Sequence, residues 1–290
     1  MALRAVEYLI SMAEEKRLPL WQMIQTLDAA EQGTSPAASW ERMEGIWATM
    51  VEAIESYDPA MRSKSGLVGG EGGRMEDYVR RGDTLCGDFT AKVIAAALKM
   101  SCSNACMRRI VAAPTAGACG ILPAVLYTFW QERGCGREDI IKALYVAAGI
   151  GQVIDERASL SGAAGGCQAE VGSASGMAAA ALVALRGGTA EQMAHACAMA
   201  LKNLMGLVCD PVGGLVEIPC VKRNVIGAVN ALSAADMALA GIGSAIPCDQ
   251  VIDAMREVGD MMDSRLKETA LGGVAASPAA KELLPGQGMA

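Results

Sequence analysis

Apolar side chains in this 290-residue chain recur in steps of three and four, and convincing runs of two-residue alternation are absent. That period belongs to helices, whose side chains return to one face about every 3.6 residues, and not to half-buried strands. Leu3, Val6, Leu9, Ile10 and Ala13 mark a first stripe, which Leu18-Pro19 stops, and Trp21 to Ala30 reads as a short second helix. Ser35-Pro36 is an N-cap followed by proline at the first helical position. Trp40, Met43, Ile46, Trp47, Met50, Val51 and Ile54 then line one face of an amphipathic helix that ends before Asp58-Pro59.

The pattern breaks over residues 61–83, where Ser65-Gly66-Leu67-Val68-Gly69-Gly70-Glu71-Gly72-Gly73 is too rich in glycine for a helix. This stretch is either a loop closing over a substrate or a linker. A phosphate cradle does not fit, because no Gly-Lys-Ser/Thr follows and no G-x-G-x-x-G is present. Helical pattern resumes at Asp88 to Lys99, from Pro123 to about Gly134, from Arg137 to Ile150, and over the Ala-rich run Ser175 to Arg186. Thr189-Ala190-Glu191-Gln192 is a capping box opening a helix toward Met205. Lys222 to Ala245 reads as buried helix, and Asp249 to Met261 is amphipathic through Val251, Ile252, Met255 and Val258. The fold class expected is all-α, an Ala/Gly-rich helical protein with long Gly/Pro loops. Its division is an N-terminal helical arm (1–60), a Gly-rich loop or linker (61–83), a helical body (84–276) and a flexible polar tail (277–290).

Composition sharpens this picture. At 52% hydrophobic the chain buries a substantial core, but aromatics are only 4%, so small side chains and Met must fill it. A net charge of −7 argues against a nucleic-acid surface. The longest uncharged run, Ile110 to Gln131, is long enough to cross a membrane, yet Pro114, Thr115, Gly117, Gly120 and Pro123 interrupt it, so a buried loop followed by a helix is expected instead. The N-terminus carries charge early and has no secretory apolar core, so the ten cysteines are expected as reduced thiols in the cytoplasm and not as a disulfide framework.

Candidate chemistry gathers between Ser161 and Asn224. One end is Ser161-Gly162-Ala163-Ala164-Gly165-Gly166-Cys167-Gln168-Ala169-Glu170-Val171-Gly172, and the other is Cys209-Asp210-Pro211-Val212-Gly213-Gly214-Leu215-Val216-Glu217-Ile218-Pro219-Cys220-Val221-Lys222-Arg223-Asn224. Cys167, Cys209 and Cys220 each have glycine or proline close by, which suits thiolates held in loops. Three thiolates together point to a metal or iron–sulfur site. With no Cys-x-x-Cys pair, the spacing by itself favours buried, inert cysteines. Cys102 and Cys106 are four apart but lack a third ligand, and Cys119, Cys135, Cys197 and Cys248 read as structural. Ala113 to Gly120 is a loop of small residues, open either to a carboxylate or to tight packing. His195, the only histidine, reads as a surface or packing residue.

The motifs as a set resemble the iron–sulfur L-serine dehydratases (L-serine ammonia-lyases), and within them the alpha subunit of the two-chain form. The likeness runs through Asn104 to Val125, Ser159 to Ala181, Leu201 to Asn224, Ala234 to Gly241, Ile246-Pro247-Cys248-Asp249 and Glu268 to Gly273. It also takes in the Ser-Gly-Leu-x-Gly-Gly run at Ser65, and it is weakest in the N-terminal arm. The resemblance implies a 4Fe–4S cluster on Cys167, Cys209 and Cys220, with one iron left without a protein ligand, in a catalytic body spanning 84–276. It further implies Lewis-acid-assisted β-elimination from L-serine to pyruvate and ammonia, an amino-acid catabolic step with no need for pyridoxal phosphate. No lysine here sits in the Ser-x-Lys setting of pyridoxal-phosphate dehydratases. Lys222, Arg223 and Asn224, directly after the third cysteine, either offset the anionic cluster and hold the substrate carboxylate or form an ordinary helix N-terminal segment with solvated charges, and Asn203 and Glu170 are weaker candidates for a site role.

Two departures shape the expectations. The Ser-Ser-Ser-His-Thr run of the single-chain members is missing, so a separate beta subunit in a hetero-oligomer is expected to complete the site. The cysteine that ends some single-chain members is also missing, since the last here is Cys248 and the chain ends Gly288-Met289-Ala290, so that inhibitory cap on the free iron is not expected. Competing readings are a related cluster lyase acting on L-cysteine or another small amino acid, and a non-enzymatic iron–sulfur redox sensor.

Overall fold

The computed structural model describes residues 4–284. Residues 1–3 and 285–290, which include Leu3 of the first stripe and the Gly288-Met289-Ala290 end, lie outside it. The described residues form thirteen α-helices with no strand, which bears out the all-α expectation. In chain order these are α1 (Val6–Lys16), α2 (Leu20–Glu31), α3 (Pro36–Glu55), α4 (Glu71–Arg80), α5 (Gly87–Ala105), α6 (Ile121–Arg133), α7 (Arg137–Arg157), α8 (Gly162–Gly165), α9 (Ser173–Leu185), α10 (Ala190–Leu204), α11 (Cys220–Leu239), α12 (Cys248–Met261) and α13 (Pro278–Leu283).

Helix α9 is the axis. Every residue from Ser173 to Val183 is buried, and α6, α7, α10 and α11 pack around it. Its Ala- and Ser-rich sequence explains why four helices can crowd one: no side chain holds a neighbour away. Close approach is enforced where a glycine replaces a side chain. A Cβ on Gly227 of α11 would lie 2.9 Å from Val171 Cγ1 and nearer still to Ile121.

The arm follows its sequence pattern. Ser35 caps α3 by accepting the Ala38 N–H at 3.1 Å, with Pro36 at the first helical position. Trp47, Met50 and Ile54 from the predicted stripe are buried. Trp21 meets Trp40 edge-on, Trp40 lies tilted against Tyr145, and Trp47 meets Trp130 edge-on at 5.9 Å. Arm and body thus share one hydrophobic core. The arm's first helix is capped from the body, since both carboxylate oxygens of Asp249 on α12 accept N–H bonds, from Val6 at 2.8 Å and Glu7 at 3.1 Å.

Some boundaries differ from the expectation. The Gly-rich stretch is not helix-free, because α4 begins at Glu71 and runs straight through Gly72 and Gly73. Those glycines are selected by contact: added Cβ atoms would lie 2.7 Å from Lys99 Cγ and 2.6 Å from Pro59 Cβ, so the packing of α4 on α5 outweighs poor helix propensity. Helix α7 continues past Ile150 to Arg157, its Gly149 and Gly151 buried between neighbours. Helix α6 starts at Ile121, with Pro123 inside its first turn, and α11 spans Cys220 to Leu239 rather than 222–245. The tail from Ser277 forms the short helix α13, with Ser277 accepting the Ala280 N–H.

The capping box at Thr189 is present in both directions, Gln192 N–H to Thr189 Oγ1 at 3.2 Å and Thr189 N–H to Gln192 Oε1 at 2.9 Å. His195 packs as expected. Its Nδ1 accepts the Ser244 N–H at 3.2 Å, and its Nε2 lies 3.6 Å from Glu191. No helix among the described residues is long and apolar enough to cross a membrane. A cavity of about 830 Å³ between α1, α2, α7 and α10, lined in part by Trp21, Lys142 and Met193, contains no cysteine.

Candidate active site

Cys167, Cys209 and Cys220 arrive from three separate places in the chain. Cys167 follows Gly166, whose φ of 77° lets the chain turn out of α8, and it begins a π-helical turn (Gln168–Gly172) that runs directly into α9. Such turns are often kept where function needs them. Gln168 anchors the turn, donating from Nε2 to Met255 O at 2.9 Å and accepting the Gly206 N–H at 2.8 Å. Cys220 is the first residue of α11. Only Cys209 sits in a loop proper. The expectation of loop-held ligands is therefore corrected for the other two, which stand at helical N-termini, where the positive end of the helix dipole favours a thiolate.

Cys209 is strapped down by the segment after α12. Its N–H donates to Leu266 O at 2.8 Å, and its C=O accepts from Glu268 N–H at 2.7 Å. One residue on, Asp210 is 2% exposed and accepts the Val274 N–H at 2.6 Å. Gly273, with φ of 60°, lies flat against Asp210, where any Cβ would collide with the carboxylate. Residues 264–276 thus wrap the middle cysteine.

Cys209 senses both of the other thiols, and Cys220 senses Cys167. Burial is the largest influence on each, raising Cys167 to about 11 and Cys220 to about 12, and raising Cys209 well above the ordinary thiol range. Cys209 is raised further by Cys167, Glu170, Glu268 and Cys220, while Arg223 pulls Cys167 and Cys220 back toward ionisation. Among the described residues, no three of His, Cys, Asp and Glu converge tightly enough for a single metal ion. A polynuclear cluster sets its ligand sulfurs farther apart than one ion does. The donor set suits such a group: two buried thiols and a half-buried one, a nearby guanidinium, and a glycine that lets the backbone approach closely. A Cβ on Gly162 would stand 2.9 Å from Cys209 Sγ.

The residues after Cys220 have distinct placements. Lys222 is exposed. Arg223 turns inward, donating from Nη1 to Val208 O at 2.7 Å and pairing through Nη2 with Asp210 Oδ1 at 2.8 Å. Asn224 is 1% exposed, and its amide is spent on backbone: Oδ1 accepts the Gly120 N–H at 2.8 Å, and Nδ2 donates to Gly117 O at 2.7 Å and Cys220 O at 3.0 Å. It clamps the 113–120 loop onto α11. Asn203 bonds Asn230 and joins α10 to α11.

Glu170 lies on the π-turn, three residues after Cys167. Its Oε1 accepts the Thr115 hydroxyl at 2.7 Å. Burial raises its carboxyl above the usual range, the Thr115 bond opposes that, and Glu268 adds to it. Glu217, three residues before Cys220, accepts hydroxyls from Ser63 at 2.9 Å and from Ser65. The Gly-rich loop 63–70 is thereby fixed to the segment that joins Cys209 to Cys220. Thr115, Asp210, Glu217 and Glu268 carried no assigned role in the sequence. Adjacency to a cysteine in Cys209-Asp210 and the Glu268 to Gly273 motif were the signals that could have found two of them.

The remaining cysteines have other surroundings. Cys102 donates to Glu71 Oε2 at 3.4 Å, and Cys119, Cys197 and Cys248 are buried in the core. Comparison with known proteins decides the class. The profile of the family described as serine dehydratase alpha chain matches residues 15–275. The chain belongs to the serine dehydratase alpha chain family. It is 45% identical over 280 residues to the probable L-serine dehydratase, alpha chain, of Bacillus subtilis (strain 168), covering 97% of this chain and 93% of that one. It is 39% identical over 282 residues to the L-serine dehydratase, alpha chain, of Peptoniphilus asaccharolyticus, covering 97% of each. L-serine dehydratase 1 of Escherichia coli (strain K12) is 44% identical over 181 residues, which is 62% of this chain and 40% of that protein. All three cysteines and Glu170 fall within the span that the family profile matches.

Proposed function

We propose that this chain is the alpha subunit of an enzyme that deaminates L-serine to pyruvate and ammonia, with Cys167, Cys209 and Cys220 holding a 4Fe–4S cluster. The observation that carries the reading is membership of the serine dehydratase alpha family over residues 15–275, supported by Cys167 and Cys220, from distant segments, both raising the Cys209 thiol. When bound, a cluster held by three protein thiolates supplies one iron as a Lewis acid toward the serine hydroxyl.

The rest falls to the protein. Loss of water across the α- and β-carbons gives aminoacrylate, whose imine form hydrolyses to pyruvate and ammonia. Gln168, Asp210 and the 264–276 strap hold the cysteine-bearing segments in place. The Arg223–Asp210 pair puts a positive charge beside the thiolates without leaving it mobile. Asn224 positions the 113–120 loop, and with it Thr115. Glu217 ties the Gly-rich loop to the segment that joins Cys209 to Cys220. Pyridoxal phosphate has no part in this scheme.

A separate beta chain completes the site. The support is the alpha-chain naming of the full-length relatives, together with the longer L-serine dehydratase of which this chain covers 40%. The test is pyruvate formation from L-serine after anaerobic iron and sulfide reconstitution, with and without a beta chain. Turnover only when both chains and iron are present is the expected result. Equal turnover without iron would refute it.

A further inference from the structure

We propose that the Glu170 carboxylate receives the α-ammonium group of the substrate. The proposal rests on the reading of this site as an amino-acid lyase. Glu170 acts on all three thiols, whereas Glu268, which also faces Glu170, acts on Cys209. One oxygen is fixed, with Oε1 held by the Thr115 hydroxyl at 2.7 Å. The other is open. Among the described residues no donor hydrogen-bonds to Oε2, which lies against Gly162, as does Cys209 Sγ. A Cβ on Gly162 would stand 2.9 Å from both Oε2 and Cys209 Sγ, and one on Gly117 would stand 2.9 Å from Oε1 and 3.1 Å from Oε2. Two glycine backbones thus come closer to the carboxylate than any residue with a side chain could.

The local cation does not answer this charge. Arg223 is bound to Asp210 and Val208 O. A part-buried carboxylate with a free oxygen and no counter-charge is costly to maintain and calls for a cationic partner. An amino-acid substrate carries one, an ammonium with three N–H donors. Held at Oε2, the ammonium brings the α-carbon to the side of the carboxylate where Gly162 and Cys209 lie. Recognition of the amine at this point also separates amino acids from the corresponding hydroxy acids, which share the carboxylate and the hydroxyl but lack the charge.

The test uses the anaerobically reconstituted two-chain enzyme at matched iron content and measures binding by calorimetry. D-Serine and L-alanine serve as amino-bearing ligands, and 3-hydroxypropionate as the deaminated one. Glu170→Gln should weaken the amino-bearing ligands about 10- to 100-fold, the range for loss of a charged hydrogen bond, and leave 3-hydroxypropionate within about threefold. Thr115→Val, which keeps the charge but frees its orientation, should weaken the same two ligands by a smaller factor, and it serves as the readout if the Gln variant loads iron poorly. Equal weakening of both ligand classes would overturn the proposal, as would unchanged binding with only kcat lowered. If the wild-type enzyme bound neither amino-bearing ligand, both this inference and the serine reading would fall. Binding in the wild type with no discrimination by Glu170 would overturn this inference alone.

Discussion

The N-terminal arm and the cysteine face are built on opposite plans. The arm uses large side chains at regular spacing, with Trp47, Met50 and Ile54 buried from one stripe and aromatic rings packed onto α6 and α7. The cysteine face uses small residues, short turns and buried polar atoms, with Asn224, Asp210 and Gln168 each satisfied by groups far away in sequence. In the arm, energy comes from apolar area, and the penalty for an altered residue scales with volume. On the cysteine face, position matters more than area, so small changes should cost function before they cost stability.

Variants that break this contrast hardest come first. Cys167→Ser, Cys209→Ser and Cys220→Ser should each abolish serine turnover and lower bound iron, while Cys102→Ser and Cys197→Ser retain turnover. Iron analysis and pyruvate assay on the five proteins decide this, and full activity in any of the first three would remove that residue from the ligand set. Trp47→Ala should cost about 3–5 kcal/mol of stability in denaturant titration while the reconstituted protein still binds iron. Arg223→Met should also cost about 3–5 kcal/mol, because it leaves Asp210 buried without its partner, but here iron binding should fall as well. Gly162→Ala crowds Cys209 and Glu170 at once. It should cost at most about 1–3 kcal/mol and yet reduce turnover far more than a stability loss of that size explains. Smallest is Asp249→Ala, which uncaps α1 at about 1 kcal/mol with unchanged kcat.

The same contrast explains what could be read in advance. Helices α1, α2, α3 and α10 follow from local signals, a stripe, a proline or a capping box, because the residues that define them are neighbours in the chain. Helix α4 was missed because its glycines answer to Lys99 and Pro59, which no local rule can see. Cys167, Cys209 and Cys220 stood out only as three of ten cysteines, and their spacing alone favoured inert core thiols. Family resemblance selected them. Thr115, Asp210 and Glu268 escaped notice because each acts through a partner dozens of residues away. Asn224 drew attention by its place beside Cys220, but its amide is committed to the 117–120 backbone, a role invisible without the fold.

The most direct test of a three-thiol cluster site is Mössbauer spectroscopy of the iron-57-reconstituted two-chain enzyme before and after addition of L-serine. Three cysteine ligands on about four irons leave one iron distinct, and its signal alone should change when serine binds. Absence of a cluster, or irons that are equivalent and indifferent to serine, would contradict both the ligand assignment and the proposed chemistry.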